Sequence, residues 1–138
     1  MNRANINAKV RSLLAAEEQR KPGFQAHAER VSVYAVATGE RLGLDPAHLI
    51  KLRLGAELGG LAGADPDLIE LTADDKRSQE IIRLCRDFDR FRSGVGGDTA
   101  ADDTKSAEWL DLEARIEFEP EIVDALLAVQ VVIQPVGT

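Results

Sequence analysis

Apolar residues recur at intervals of three and four along nearly the whole chain, and glycine and proline cut that pattern into segments. Val10, Leu13 and Leu14 mark a first helix that ends near Arg20, at the breaker Lys21-Pro22-Gly23. A second runs from about Gln25 to Leu42, with Ala28, Val31, Ala35, Thr38 and Leu42 on one stripe and Gly43 placed to stop it in the left-handed conformation. Asp45-Pro46 starts a third, because Asp can cap free N–H groups and Pro suits the first turn. In that helix Leu49, Ile50, Leu52, Leu54, Leu58 and Leu61 cover most of the circumference, which predicts the central and most buried element. Asp65-Pro66 repeats the device for a short turn through Leu71. Thr72 to Asp75 opens a longer helix with a stripe of Ile81, Leu84, Cys85, Phe88 and Phe91. Residues 94–104 read as a flexible connection. Trp109, Leu112 and Ile116 predict a core-facing helix from about Lys105, and Pro120 opens the last one, carrying Ile122, Val123, Leu126 and Val129. The expected fold is all-α, a compact bundle of six or seven helices in a single domain over residues 1–138, with residues 1–22 forming the N-terminal helix and turn.

Composition narrows the function classes. Among 138 residues there are 17 Lys+Arg and 24 Asp+Glu, a formal net charge of −7, which argues against binding nucleic acid or an anionic membrane by phosphate neutralisation. No apolar run reaches the roughly 18–20 residues of a membrane span, and the charged N-terminus lacks a signal-peptide centre. The single cysteine, Cys85, excludes an internal disulfide, fits a reducing cytoplasm and lies on an apolar stripe as a small buried hydrophobe. One Cys and two His leave almost no zinc site built from those residues alone. The expectation is a cytoplasmic protein without cofactor.

Three phrases carry a resemblance. His27, Arg30, Val31, Tyr34 and Ala35, followed by Leu42-Gly43-Leu44, resemble the start of HD-domain phosphohydrolases, particularly the HD-GYP branch. Ile81 to Asp89 looks like that family's late helix, and Phe118-Glu119-Pro120-Glu121-Ile122-Val123-Asp124-Ala125-Leu126 looks like its C-terminal helix. The resemblance implies an HD-like fold. The family's activity is phosphate-ester hydrolysis, of cyclic di-GMP in HD-GYP members, by water activated at a centre of two or three metals. Its ligand set is largely missing here. Gly59 and Gly60 stand where the His-Asp pair should be, Gly63 where a lysine should be, and Arg86 where the late aspartate should be. The stretch from Leu61 to Ile81 is too short for the family's middle segment and its remaining histidines.

The reading that follows is a degenerate HD-like domain, not an enzyme and without a catalytic metal, acting as a protein-interaction or regulatory module in bacterial signalling. The alternative is a sensor that binds a nucleotide or cyclic dinucleotide without hydrolysis. Ranked below both is a metal-dependent hydrolase with ligands redrawn from Glu57, Asp87 and Asp89. Residues of a relic cleft would be His27, Arg30, Glu57 and Arg86, with a conceivable Arg86–Glu57 ion pair that the helical period disfavours. Val129, Val131, Val132 and Ile133 are the candidate surface for a homodimer or partner helix. The Gly94–Thr99 stretch lacks the Lys-Ser/Thr of a phosphate loop, and Asp98, Asp102 and Asp103 lack calcium-loop spacing.

Overall fold

Among the described residues the helical stripes assemble into six helices. The computed structural model describes residues 3–59, 61, 68, 71–72, 75–93 and 103–130. The elements are α1 (Arg3–Arg20), α2 (Phe24–Arg41), α3 (Pro46–Leu58), α4 (Lys76–Ser93), α5 and α6 (Pro120–Gln130). Helix α5 is composite, running as α over Asp103–Trp109, as π over Leu110–Ala114 and as α again over Arg115–Glu117. No strand occurs among the described residues, and none of their helices is long and apolar enough to cross a membrane.

The boundaries follow from local chemistry. Between α1 and α2, Gly23 adopts φ +94°, and the Glu18 carboxylate accepts from the Gly23 and Gln25 N–H groups, each at 2.9 Å. A carboxylate at the N-terminus of α2 meets the positive end of its dipole, and these bonds hold the Glu18 pKa below its ordinary value. At the other end, Gly43 at φ +85° donates to Glu40 O and Leu44 N–H reaches Gly39 O, the paired bonds of a Schellman stop. Asp45 then caps α3 by accepting from His48 N–H at 2.7 Å, with Pro46 in the first turn. Asp75 caps α4 in the same manner through Ser78 N–H.

Helix α2 is the centre of the molecule, packing against α1, α3, α4 and α6. This corrects the expectation that α3 is central. Helix α3 is apolar around most of its circumference because it divides two cores. Its Leu52 and Ala56 join the main core with Val31, Tyr34, Ile81, Leu84, Cys85, Phe88, Leu110 and Leu126, whereas Leu54 and Leu58 join a smaller one with Val10 and Leu68 under α1. Ile50 faces solvent. Tyr34 meets Phe88 edge-on at 5.1 Å between ring centroids, tying α2 to α4. Phe91, at the rim, stacks on Trp109 of α5 at 5.5 Å. Cys85 is fully buried and its thiol pKa is pushed up to about 12 by that burial, as its apolar stripe implies.

A second correction concerns α5. Of the expected core stripe only Trp109 packs against the main core: Leu112 is 68% and Ile116 84% exposed. The buried residues are Ser106, Leu110 and Ala114, with Phe118 just beyond the helix, at a spacing of four. In a pure α-helix that spacing drifts around the axis, but the π segment takes more residues per turn and brings the row back onto one face. Residues 94–102 lie outside the described residues, and α5 already begins at Asp103 within the expected loop. This register predicts that Leu110→Ala lowers stability by about 2–4 kcal/mol, whereas Ile116→Ala stays within about 0.5 kcal/mol. Urea unfolding of both variants measures the difference, and equal losses would restore the α-helical stripe.

Candidate functional site

Where α2 crosses α4, one carboxylate gathers two basic side chains. Asp89 projects from α4 and is fully buried. His27 and Arg30 lie three residues apart on α2, on the same face. His27 Nδ1 is 2.6 Å from Asp89 Oδ2, Arg30 Nε donates to Oδ1 at 2.7 Å, and Arg30 Nη2 donates to Oδ2 at 3.1 Å. Arg30 Nη2 also reaches Ser93 Oγ at 3.3 Å. The Arg30 contact is bidentate, which fixes the guanidinium plane. An ionised Asp89 requires the proton of His27 on Nδ1, so Nε2 is the nitrogen left for other partners.

Beside this cluster a cleft of about 390 Å³ opens between α1, α2, α3 and α4. His27, Glu57 and Arg86 stand in its wall, together with Glu17, Lys21 and Arg90. Its apolar lining joins the two cores, with Val31 and Ala56 from the main one and Leu58 and Leu61 from the smaller. Arg30 is not in that wall. It borders an adjoining cavity of about 290 Å³ that shares Lys21, Phe24, His27 and Arg90 with the first. Three of the four expected cleft residues therefore meet in one cleft, and the fourth orients the buried acid behind it.

The conceivable Arg86–Glu57 pair is not formed. Glu57 lies 3.5 Å from Arg53, one turn earlier on α3, and burial raises its pKa against the pull of Arg53. Arg86 makes no hydrogen bond or ion pair with any described residue, and burial together with Arg90 lowers its pKa. Its Nη2 stands 2.8 Å from where a Cβ on Gly59 would sit, so Gly59 both supplies a φ of +55° and leaves room for the guanidinium.

Asp89 is not among the cleft residues expected from the sequence, which names it only as a redrawn metal ligand. A carboxylate directly after Phe88 and four residues after Cys85 sits on a buried stripe, and such a charge requires cationic partners. His27 and Arg30 were already in view to supply them. Glu17, Lys21 and Arg90 reach the cleft only through tertiary packing and leave no sequence signal. Among the described residues no group of three or more His, Cys, Asp or Glu side chains is arranged to hold a metal ion. Asp87 is not among the residues lining either cavity. Val129 packs against the main core, and Val131, Val132 and Ile133 lie outside the described residues, as do Gly94–Thr99 and Asp102.

A second polar cluster has the residue types of a hydrolase triad without its geometry. His48 Nε2 lies 2.8 Å from Ser78 Oγ and 3.0 Å from Asp75 Oδ1. Both contacts fall on the same ring nitrogen, so the acid does not orient the ring from the side opposite the hydroxyl. Ser78 is 1% exposed and beyond the reach of a substrate. The cluster joins the N-termini of α3 and α4. Comparison with protein-family models, with curated proteins and with solved structures finds no match to this chain.

Burial opposes the charge on Asp89, but hydrogen bonds from His27 and Arg30 outweigh it and hold its pKa below the usual value. A folded pKa below the unfolded one, near 3.9, contributes stability that is complete above that value and is lost as pH falls through the folded pKa. Wild type is therefore expected to lose stability from about pH 4 downward more steeply than Asp89→Asn. At neutral pH, Asp89→Ala, which strands Arg30, is expected to cost about 3 kcal/mol. Urea unfolding between pH 2 and 7 checks both. Parallel acid limbs would show that Asp89 carries no linked proton.

Proposed function

We propose that this chain is a non-catalytic, HD-like regulatory domain that holds a small charged ligand in the cleft beside His27 and does not hydrolyse it. The observation that carries this reading is the open cleft, walled by His27, Glu57 and Arg86 and large enough for a small molecule. A cleft filled by leucine side chains would have favoured a purely structural or protein-binding role. Against hydrolysis by ligands redrawn from Glu57, Asp87 and Asp89 stands the state of Asp89, whose two oxygens are already engaged by His27 and Arg30. Nucleotides and cyclic dinucleotides, which the resemblance brings in as ligands, belong in the first screen. So do smaller ions, because Glu17 and Glu57 in the wall disfavour a polyanion.

The expected result of a thermal-shift screen of charged metabolites, nucleotides included, is at least one stabilising ligand. Its effect should change in Lys21→Glu, an exposed substitution at the cleft that spares both cores. A phosphodiester assay with Mn²⁺ should give no turnover. Manganese-dependent hydrolysis lost in His27→Ala would overturn the non-catalytic reading.

A second reading, interaction with a partner helix or a second copy, draws on Leu112 and Ile116, four residues apart and exposed on α5. Light scattering across a concentration series checks it. Self-association abolished by Ile116→Asp would support it, and a monomer unchanged by that substitution would remove the homodimer.

A further inference from the structure

The cleft wall holds two charges of opposite sign that do not meet. Arg86 is half-buried against Gly59 and makes no hydrogen bond or ion pair with a described residue. Arg90, the next cation on the same face of α4, also makes none and adds like charge instead of relief. Glu57, in the same lining, is half-buried with Arg53 beside it at 3.5 Å, and Arg53 lies outside the wall. Glu17 adds a carboxylate that is 6% exposed, with Arg20 Nε at 3.4 Å and Lys21 Nζ at 4.0 Å from its oxygens. A guanidinium as enclosed as that of Arg86 normally finds a partner, because removing a charge from water without compensation is costly.

A single oxyanion would satisfy Arg86 and leave Glu57 and Glu17 facing added negative charge. A simple amine would do the reverse. A molecule that carries both groups satisfies both signs of charge, and the lining offers three side-chain cations, Lys21, Arg86 and Arg90, and two carboxylates, Glu17 and Glu57. The cavity volume of about 390 Å³ suits a molecule of amino-acid size. Its floor of Val31, Ala56, Leu58 and Leu61 offers apolar contact to a short aliphatic portion.

We propose that the cleft is a receptor site for a small zwitterion of the α-amino-acid class, its carboxylate held by Arg86 and its ammonium by Glu57. This rests on the ligand-binding reading above and narrows it to one chemical class. Guanidinium–carboxylate geometry allows two parallel hydrogen bonds, which would fix the ligand's orientation and leave Arg90 and Lys21 to strengthen the field at that end. Arg86 is then retained for binding and not for folding, so its removal should relieve the free protein.

Calorimetric titration of the full chain with the twenty proteinogenic L-amino acids, and with propionate, propylamine and cyclic di-GMP, tests the assignment. At least one amino acid should bind, and both half-ligands should bind at least tenfold more weakly than it. Arg86→Gln should weaken that amino acid at least tenfold while leaving propylamine unchanged, and should keep or raise the Tm of the free protein. Glu57→Gln should weaken the amino acid and leave propionate unchanged or tighter. Arg86→Lys, which keeps the charge but not the bidentate fork, should fall between wild type and Arg86→Gln in affinity. Binding of cyclic di-GMP with no response to any amino acid would overturn the zwitterion assignment while the ligand-binding reading stands. So would propionate binding that Glu57→Gln tightens when no amino acid outcompetes it. A Tm lowered by Arg86→Gln would overturn the assignment of Arg86 to binding. Silence toward every probe here, together with a blank thermal-shift screen, would sink both.

Discussion

The buried carboxylate of Asp89 organises this molecule. It sits on α4, which packs against α2, the helix that touches four others, and it accepts hydrogen bonds from two basic side chains of that helix. A buried charge is tolerated only with such partners, so the contact sets the register of the two helices as well as joining them. An apolar interface would allow α2 to slide or rotate at small cost. A bidentate Arg30 and a hydrogen-bonded His27 do not. The same contact fixes the His27 ring in one orientation at the edge of the cleft, so the helix junction and the binding wall share an origin.

The cleft is where two cores fail to merge. Helix α3 sends Leu52 and Ala56 into one core and Leu54 and Leu58 into the other, and α1 covers only the smaller. Between them lies a wedge that apolar side chains from both sides border without filling. Charged residues at its mouth, Glu17 and Lys21 from the end of α1 and Arg86 and Arg90 from α4, turn the packing defect into a polar recess. Gly59 belongs to the same logic. It ends α3 with a positive φ and, lacking a Cβ, leaves the space that Arg86 occupies.

The sequence is most informative where local chemistry decides the outcome. Asp45-Pro46, Gly43 and the stripe of Ala28, Val31, Ala35 and Thr38 act within one helix turn or one cap, and the structure agrees with each. The reading failed where a helix departs from the α period. Trp109, Leu112 and Ile116 form a good α-helical stripe, yet the π segment buries Leu110 and Ala114 instead, and no residue type announces a π turn. Apolar content does not by itself mean centrality, because a helix apolar around most of its circumference can equally divide two cores, as α3 does. At the site, His27, Glu57 and Arg86 are legible as cleft residues, but Asp89 is not legible as the acid that joins His27 and Arg30. Its place after Phe88 on the buried stripe carried the better signal. Glu17 and Lys21 come into the cleft through the packing of α1, which residue spacing does not encode.

Charge at two scales points to the same class of ligand. The chain carries a net charge of −7, so its long-range field repels anions, and a polyphosphate would approach against it. The cleft lining holds three cations and two carboxylates, a local balance that the distant charges modify only weakly across a Debye length of about 8–10 Å. A ligand without net charge meets no long-range penalty and can still use both signs at close range, where partial desolvation strengthens each contact. Such a ligand also explains why the enclosed charges stay apart. Were Arg86 and Glu57 in direct contact, each would neutralise the other and the cleft would offer nothing to bind. Their separation leaves Arg86 and Glu57 each able to take a group of the opposite sign.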